Sequence, residues 1–315
     1  MRRHRLGVAA TAAVLLSLGA GAGLALWKAR EAQAQRAQAE GLIEFMLGDL
    51  RRQLGPVGRL DVLDPVAERA LAYYAAQSLD GSDADSLGRR ARALHLMGEL
   101  ADKRGRLDEA AQRFQAAAES TAEQLERDPA QPQRLFDHAQ SEYWVGYAAW
   151  QRQRWPEAEA AFKRYLALAQ RLLASAPGLA SSHAEMAYAH HNLGVLAVGR
   201  GRPDEARRQL EDARAQWQAV ARLDEGWRLD EASTLGWLAE AEEADGQPAR
   251  ALALQQEKLA LLAALARRQP QRADLPPLQA ASEAAEARLQ LDLGDRKSTR
   301  LNSSHSQQSR MPSSA

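Results

Sequence analysis

Four short segments of this chain can be laid over one another, and that self-similarity limits the fold more than any other feature. They are Gly105-Arg-Leu-Asp-Glu-Ala110, Gln153-Arg-Trp-Pro-Glu-Ala158, Gly201-Arg-Pro-Asp-Glu-Ala206 and Gly246-Gln-Pro-Ala-Arg-Ala251. Their first residues lie 48, 48 and 45 positions apart. Seven residues before each stands a small residue: Gly98, Gly146, Gly194 and Ala239. A fixed period of this size marks an array of stacked supersecondary units. Between the segments, apolar residues recur at spacings of three and four, and Ala, Leu, Arg, Glu and Gln, all good helix formers, dominate. No stretch sustains the alternation of a strand. The expectation is an all-α chain of helix pairs.

Each repeated position has a physical reading. Gly98, Gly146 and Gly194 let the second helix of a pair approach the first with no side chain between them. Gly105, Gly201 and Gly246 can take positive φ and end the first helix. Pro156, Pro203 and Pro248 suit the first turn of the second helix, where no amide donor is lost. Phe114 and Phe162 then fill the space between the two. A single pair leaves apolar surface that only a neighbouring pair can cover, so the pairs stack.

These residues resemble the tetratricopeptide repeat (TPR) family. Leu94-x-x-Met97-Gly98-x-x-Ala101 is followed by Ala110-x-x-x-Phe114, Val145-Gly146-x-x-Ala149 by Ala158-x-x-x-Phe162, and Leu193-Gly194-x-x-Ala197 by Ala206-x-x-x-Leu210. The fourth copy has Leu238-Ala239 and Ala251, with Gln255 where an aromatic is usual. The likeness covers about 88–294. Two departures stand out: the period is near 48 rather than 34 residues, which lengthens both helices, and Glu142 and His190 occupy a slot usually given to a large core residue. The resemblance implies a right-handed superhelix of helix pairs whose first helices line a concave groove for a protein or peptide. On that register, Gln140, Tyr143, Tyr147 and Trp150 of the second repeat face inward. So do Tyr188 and His191 of the third, and Arg92, His95, Glu99 and Asp102 of the first. Tyr143, Tyr147 and Trp150 fall at i, i+4 and i+7, one helical face. The candidate groove is therefore Tyr143, Tyr147, Trp150, Tyr188, His191, His95 and Glu99. The other reading of the aromatic stripe is packing against a neighbouring helix.

The N-terminus has a different character. From Leu6 to Trp27 there are 22 residues without a charge, long enough as a helix to cross a hydrocarbon core about 30 Å thick. Arg2, Arg3 and Arg5 precede it, and Lys28 and Arg30 follow. The expectation is a transmembrane anchor through residues 6–27, in the inner (cytoplasmic) membrane. The N-terminus would be cytoplasmic and the repeats periplasmic or otherwise extracytoplasmic. A cleaved signal peptide is the rival, on the small residues Gly19 to Gly23. The flanking runs Arg2-Arg3-His4-Arg5-Leu6-Gly7 and Ala25-Leu26-Trp27-Lys28-Ala29-Arg30-Glu31-Ala32 are similar to the junction of bacterial receptor-like serine/threonine kinases. That implies, as an alternative function, the sensory half of a membrane-spanning signalling protein whose effector domain lies upstream.

The division expected is thus 1–27 anchor, 28–87 juxtamembrane helical stalk and cap, 88–294 repeats, and 295–315 tail. Within 28–87, Leu42, Ile43, Phe45, Met46, Leu47, Leu50 and Leu54 make one apolar helix face, broken by Leu54-Gly-Pro-Val-Gly58. A second helix is expected over about 64–78. Asp80-Gly-Ser-Asp-Ala-Asp85 reads as a solvated loop, since no bidentate Glu follows for calcium. A fifth first helix is expected from about Pro277 to Leu293, ending at Gly294, which is 48 residues after Gly246. Residues 295–305 and 309–315 resemble, in one frame, the translation of a common sequencing adapter, with 306–308 as its index. A disordered tail foreign to the fold is expected there.

Chemistry is sparse. There is no cysteine, which excludes disulfides and thiolate sites. No P-loop, G-x-S-x-G elbow, H-E-x-x-H or kinase motif set occurs, so no enzyme, no cofactor and no metal site is expected. His183, His190 and His191 form the one histidine cluster, but neighbours on a helix point about 100° apart and chelate a single ion poorly. Residues 31–294 carry 32 basic and 40 acidic groups, a net charge of −8. That disfavours nucleic acid, whose phosphates need a basic surface. The expected function is a membrane-anchored TPR-type scaffold for a protein or peptide partner, with self-association as a further outcome the repeats allow.

Overall fold

The computed structural model describes residues 2–54, 64–76, 84–223 and 225–308, with side chains chiefly between Gly19 and Gly294. Among the described residues the regular elements are all helical. In chain order they are α1 (Arg2–Leu54), α2 (Asp64–Ala75), α3 (Ala84–Lys103), α4 (Leu107–Arg127), α5 (Pro132–Gln151), α6 (Trp155–Ser175), α7 (Ala180–Gly199), α8 (Pro203–Val220), α9 (Arg228–Ala244), α10 (Pro248–Arg268) and α11 (Leu275–Gln308). A 3₁₀ turn, Glu225–Trp227, precedes α9. The helices group into two compact units, residues 1–127 and 128–315.

The first unit holds α1 to α4. Ala70 and Tyr74 of α2 pack with Ala93, Leu96 and Met97 of α3, and Ile43 of α1 lies against them. Glu40 fastens α1 to α3. Its carboxylate is fully buried and accepts from Ser86 Oγ (2.6 Å), Arg89 Nε (2.7 Å) and Arg36 Nε (3.0 Å). A carboxylate removed from water in this way is stable because its lone pairs meet charged and hydroxyl donors. The expected apolar face of α1 is only partly covered, for Leu42 and Phe45 are exposed while Ile43 is packed.

The second unit stacks α5 to α11, each helix against the next. Its pairs are closed as the repeat predicts. At Gly146 an added Cβ would lie 2.5 Å from the Phe162 ring, and at Gly194 it would lie 2.5 Å from Leu210 Cγ. The same relation holds in the first unit, where a Cβ on Gly98 would run into the Phe114 ring. All four first helices end in one hydrogen-bond pattern. Gly105, Gln153, Gly201 and Gly246 have φ of 73°, 57°, 65° and 73°. The amide after each reaches back to Ala101, Ala149, Ala197 or Glu242 at 2.8–2.9 Å. This is the Schellman closure, which satisfies the last carbonyls of the helix. Prolines then occupy the first turn of α6, α8 and α10.

Gln153 is a non-glycine residue in the left-handed region, where a Cβ costs roughly 1–2 kcal/mol. Gln153→Gly relieves that cost but loosens the unfolded chain. The expected result is a net gain of about 0.5 kcal/mol, read as a higher urea midpoint. A lower midpoint would contradict the repeat register.

Glu142 and His190, in the slot of a large apolar residue, reach across their own helix pairs. Glu142, 6% exposed, is held by Arg164 of α6 through two bonds of 2.8 Å. His190 Nδ1 is 2.9 Å from Gln209 Oε1 of α8. The long helices thus replace one layer of apolar contact by polar bridges.

Two expectations are corrected. Among the described residues no helix is long and apolar enough to cross a membrane. The N-terminal transmembrane helix, the membrane attachment through residues 6–27 and the inner-membrane location are therefore not supported. Residues 28–39 are exposed apart from the half-buried Arg36, and Glu40 is buried against α3. Gly294 does not end its helix: α11 runs through it to Gln308, so a helix stands over the first part of the tail expected to be disordered. Residues 309–315, the Gly55–Gly58 break and most of the aspartate-rich loop at 80–85 lie outside the described residues.

Candidate functional site

In the second unit the first helices α5, α7 and α9 carry two cavities, both lined from the same repeat positions. The first, about 510 Å³, is lined by Gln140 and Tyr143 of α5 and by Tyr188, His191 and Asn192 of α7. Phe136, Tyr165 of α6 and Trp227 of the 3₁₀ turn complete an aromatic wall, and Glu185 lies one turn before Tyr188. The second, about 540 Å³, is lined by Asp230, Ser233, Gly236 and Glu240 of α9 with Gln255 and Lys258 of α10. Both sizes suit a small ligand or a peptide side chain. The cavities adjoin through one bond. Tyr188, in the wall of the first, donates its hydroxyl to Asp230 Oδ1, in the wall of the second, at 2.7 Å.

Glu185 is the unusual group. It is 4% exposed, and its Oε2 accepts from Tyr165 Oη (2.6 Å) and Gln140 Nε2 (2.7 Å). Burial pushes its carboxyl up to about 7, against the opposing pull of those two hydrogen bonds. Burial, with the Glu185 charge beside it, raises the Tyr165 phenol well above its usual value and fixes it as a donor. Burial also raises Tyr188, reinforced by its bond to Asp230.

His191 is neutral, because burial lowers it to about 4. Its tautomer follows from its neighbours. Thr234 Oγ1 donates to the Asp230 carbonyl (3.0 Å) and accepts from Trp217 Nε1 (2.9 Å). The remaining lone pair of Thr234 receives the His191 Nδ1 proton at 2.9 Å, so Nε2 is left as a bare acceptor. Tyr188, Trp217 and Trp227 brace this wall, with ring centroids 4.9–6.2 Å apart. That spacing suits offset and edge-on aromatic contact.

The candidate residues named from the repeat register divide. Tyr143, Tyr188 and His191 meet in the first cavity. Tyr147 and Trp150 continue the stripe from Tyr143, with centroid steps of 6.2 and 6.1 Å, but they are not part of the cavity wall. Trp150 packs on the cluster of Phe162, Leu193 and Leu196, and Tyr147 Oη accepts from Gln151 at 2.7 Å. His95 and Glu99 lie on α3, in the other unit. His95 sits 6.0 Å from the Phe114 ring, and burial lowers it to about 4. The histidine cluster disperses: His183 engages Gln216, His190 engages Gln209 and His191 engages Thr234. Among the described residues no group of three or more His, Asp or Glu is placed to hold a metal ion.

Sequence reasoning missed Phe136, Tyr165, Glu185, Asn192 and Trp227. Two of these were detectable in the repeat register. Glu185 has acids at the matching positions, Asp137 and Asp230, while Tyr165 stands where the first and third repeats have Ala117 and Ala213.

One known structure shares the architecture. BtubC (BKLC) from P. vanneervenii is 24% identical, with a TM-score of 0.59 over 75% of this chain and 85% of that one. A thermophilic TPR protein from Thermus thermophilus is 19% identical over 75% of this chain and 96% of its own, with a TM-score of 0.38. The TPR-like repeats of a chain assigned as a kinesin light chain from Podosopora anserina are 21% identical over 70% of this chain and 95% of theirs, with a TM-score of 0.48. The structural neighbours are thus TPR and TPR-like repeat proteins. At these identities the likeness shows the fold alone. No protein-family model and no curated protein matches the chain.

Proposed function

We propose that the chain is a protein-interaction scaffold that holds an extended peptide along α5, α7 and α9. The observation that carries this is the pair of adjoining cavities built from the same register of successive first helices. Stacked helix pairs generate such surfaces by repetition, and tyrosines with a polar tip are favoured where peptides dock. The kinase-linked alternative rested on the membrane span, which the described residues do not supply.

The test is selection of displayed peptides against the full chain, followed by fluorescence anisotropy with the selected peptide. Tyr143→Ala and Tyr188→Ala should each weaken binding at least tenfold, since truncating a central aromatic anchor costs about 2 kcal/mol. Trp150→Ala should act mainly through stability. Tyr143→Ala and Tyr188→Ala variants that are folded and bind as the parent does would overturn the groove.

A further inference from the structure

Around the first cavity several polar side chains place a donor inside the protein and leave an acceptor over. Tyr165 Oη and Gln140 Nε2 donate to Glu185, Tyr188 Oη donates to Asp230, and Asn192 Nδ2 donates to the Tyr188 carbonyl at 2.8 Å. His191 donates from Nδ1 to Thr234. The acceptors left over are Glu185 Oε1, the lone pair of His191 Nε2 and Asn192 Oδ1, among five aromatic rings. No Lys or Arg lines the cavity, and among the described residues Glu185 has no ion pair. Aromatic rings and acceptors without a cation make an environment suited to a cation from outside.

The second cavity supplies an internal comparison. Asp230 stands at the repeat position of Glu185, and Lys258 at that of Tyr165. There the recurring acid shares its cavity with a half-buried lysine of the same chain. In the first cavity tyrosine has taken the lysine's place, and the acid has no cation to face.

We propose that the first cavity receives the charged end of a lysine or arginine side chain carried by the bound peptide, with Glu185 as its counter-ion. This rests on the peptide-groove reading above and specifies the residue that anchors the peptide. The net charge of −8 over residues 31–294 favours approach of a basic partner. Binding is coupled to proton release. The free Glu185 carboxyl titrates near 7, and the incoming cation favours its ionised form, so affinity rises with pH and levels off above about 7. The groups facing Glu185 are Gln140 and Tyr143 of α5, Tyr165 of α6, and Tyr188 and His191 of α7, with Asp230 of α9 behind Tyr188. Tyr165 and Tyr188, raised by burial, and His191, lowered by it, remain neutral across this interval, so Glu185 sets the profile.

The experiment titrates the full chain with four capped pentapeptides, Gly-Gly-X-Gly-Gly, with X as arginine, citrulline, lysine or norleucine. Tryptophan fluorescence reads binding, because Trp227 lines the cavity. At pH 8 the arginine and lysine peptides should bind at least tenfold tighter than citrulline and norleucine. Binding should weaken at least tenfold at pH 5.5 in the parent chain, a readout that needs no variant. Glu185→Gln, with folding verified by circular dichroism, should abolish both the preference and the pH dependence. Nα-acetyl-arginine amide should bind more weakly than the arginine pentapeptide. Equal binding of citrulline and arginine, or a preference kept in Glu185→Gln, would overturn the proposal. Equal affinity for acetyl-arginine amide and the pentapeptide would overturn the peptide as the source of the cation. Failure here with selected peptides still sensitive to Tyr143→Ala and Tyr188→Ala leaves the groove standing. Selected peptides insensitive to those variants remove the groove itself.

Discussion

Gly146→Val should lower the stability of the second unit by about 3 kcal/mol, the upper part of the range for over-packing a filled core. An added Cβ falls 2.5 Å from two atoms of the Phe162 ring and 3.1 Å from a third. Phe162 is 4% exposed in a cluster with Ala149, Ala158, Leu193 and Leu196, so the ring has no free space to enter. Valine is also the better helix former, by about 0.4 kcal/mol, so propensity opposes the loss and cannot explain it. Gly199 supplies the control. It is the last residue of α7, and a Cβ there meets nothing within 4 Å. Gly199→Ala should be neutral or stabilising by up to about 1 kcal/mol. A double-mutant cycle with Phe162→Ala isolates the contact. The paired variant should be less destabilised than the sum of the singles by at least about 1 kcal/mol. Additive losses by chemical denaturation would mean that the glycine is not there for the ring. The fourth repeat already shows the compensation: where the small residue becomes Ala239, the residue opposite narrows to Gln255.

The turns show how much of the fold is legible in the residues. Gln153 sits in the slot of three glycines, and the register alone assigns it the same turn. It adopts φ of 57° with the same two backbone bonds, despite its side chain. Gly294 occupies that slot as well, yet α11 passes through it. Glycine permits the left-handed conformation but does not compel it. After Gly105, Gly201 and Gly246 a second helix packs back on the first and locks the turn, and no such pair follows Gly294 among the described residues. Register is thus more informative than residue type. The same holds for the site. Tyr143, Tyr188 and His191 converge because the repeat register orders them, whereas Tyr147 and Trp150, named on the same grounds, fall outside the cavity. The long helices carry the inward face beyond the cavity into contact with the next pair. Trp227 was invisible because it comes from a 3₁₀ turn outside the repeat pattern. The N-terminal run is a different case. Absence of charge is necessary for a membrane span but not sufficient, and among the described residues no helix is long and apolar enough to cross one.

The second large effect concerns pH. Glu185 titrates near 7 in the folded chain because it is buried, and near 4.3 in an unfolded one. Between those values the folded state holds a proton that the unfolded state has released. Stability attributable to this group is therefore full below about pH 4.3, falls as pH rises toward 7, and is level above. The span corresponds to about 3 kcal/mol, with Tyr165 and Gln140 already limiting it by bonding to the carboxylate. In Glu185→Gln the amide oxygen can accept from the same two donors, but nothing ionises. Urea denaturation of parent and variant should then give similar stabilities near pH 4.5, with the variant more stable by about 3 kcal/mol at pH 8. Taking the difference between the two chains cancels the remaining carboxylates and histidines. A difference that stays flat from pH 4.5 to 8 would mean that Glu185 ionises freely in the folded state, through water reaching Oε1. A saturating basic peptide should close the gap at pH 8, because a ligand that binds only the folded parent adds its binding free energy to stability. A buried acid that weakens the empty fold at neutral pH is then made tolerable by the cation it is placed to receive.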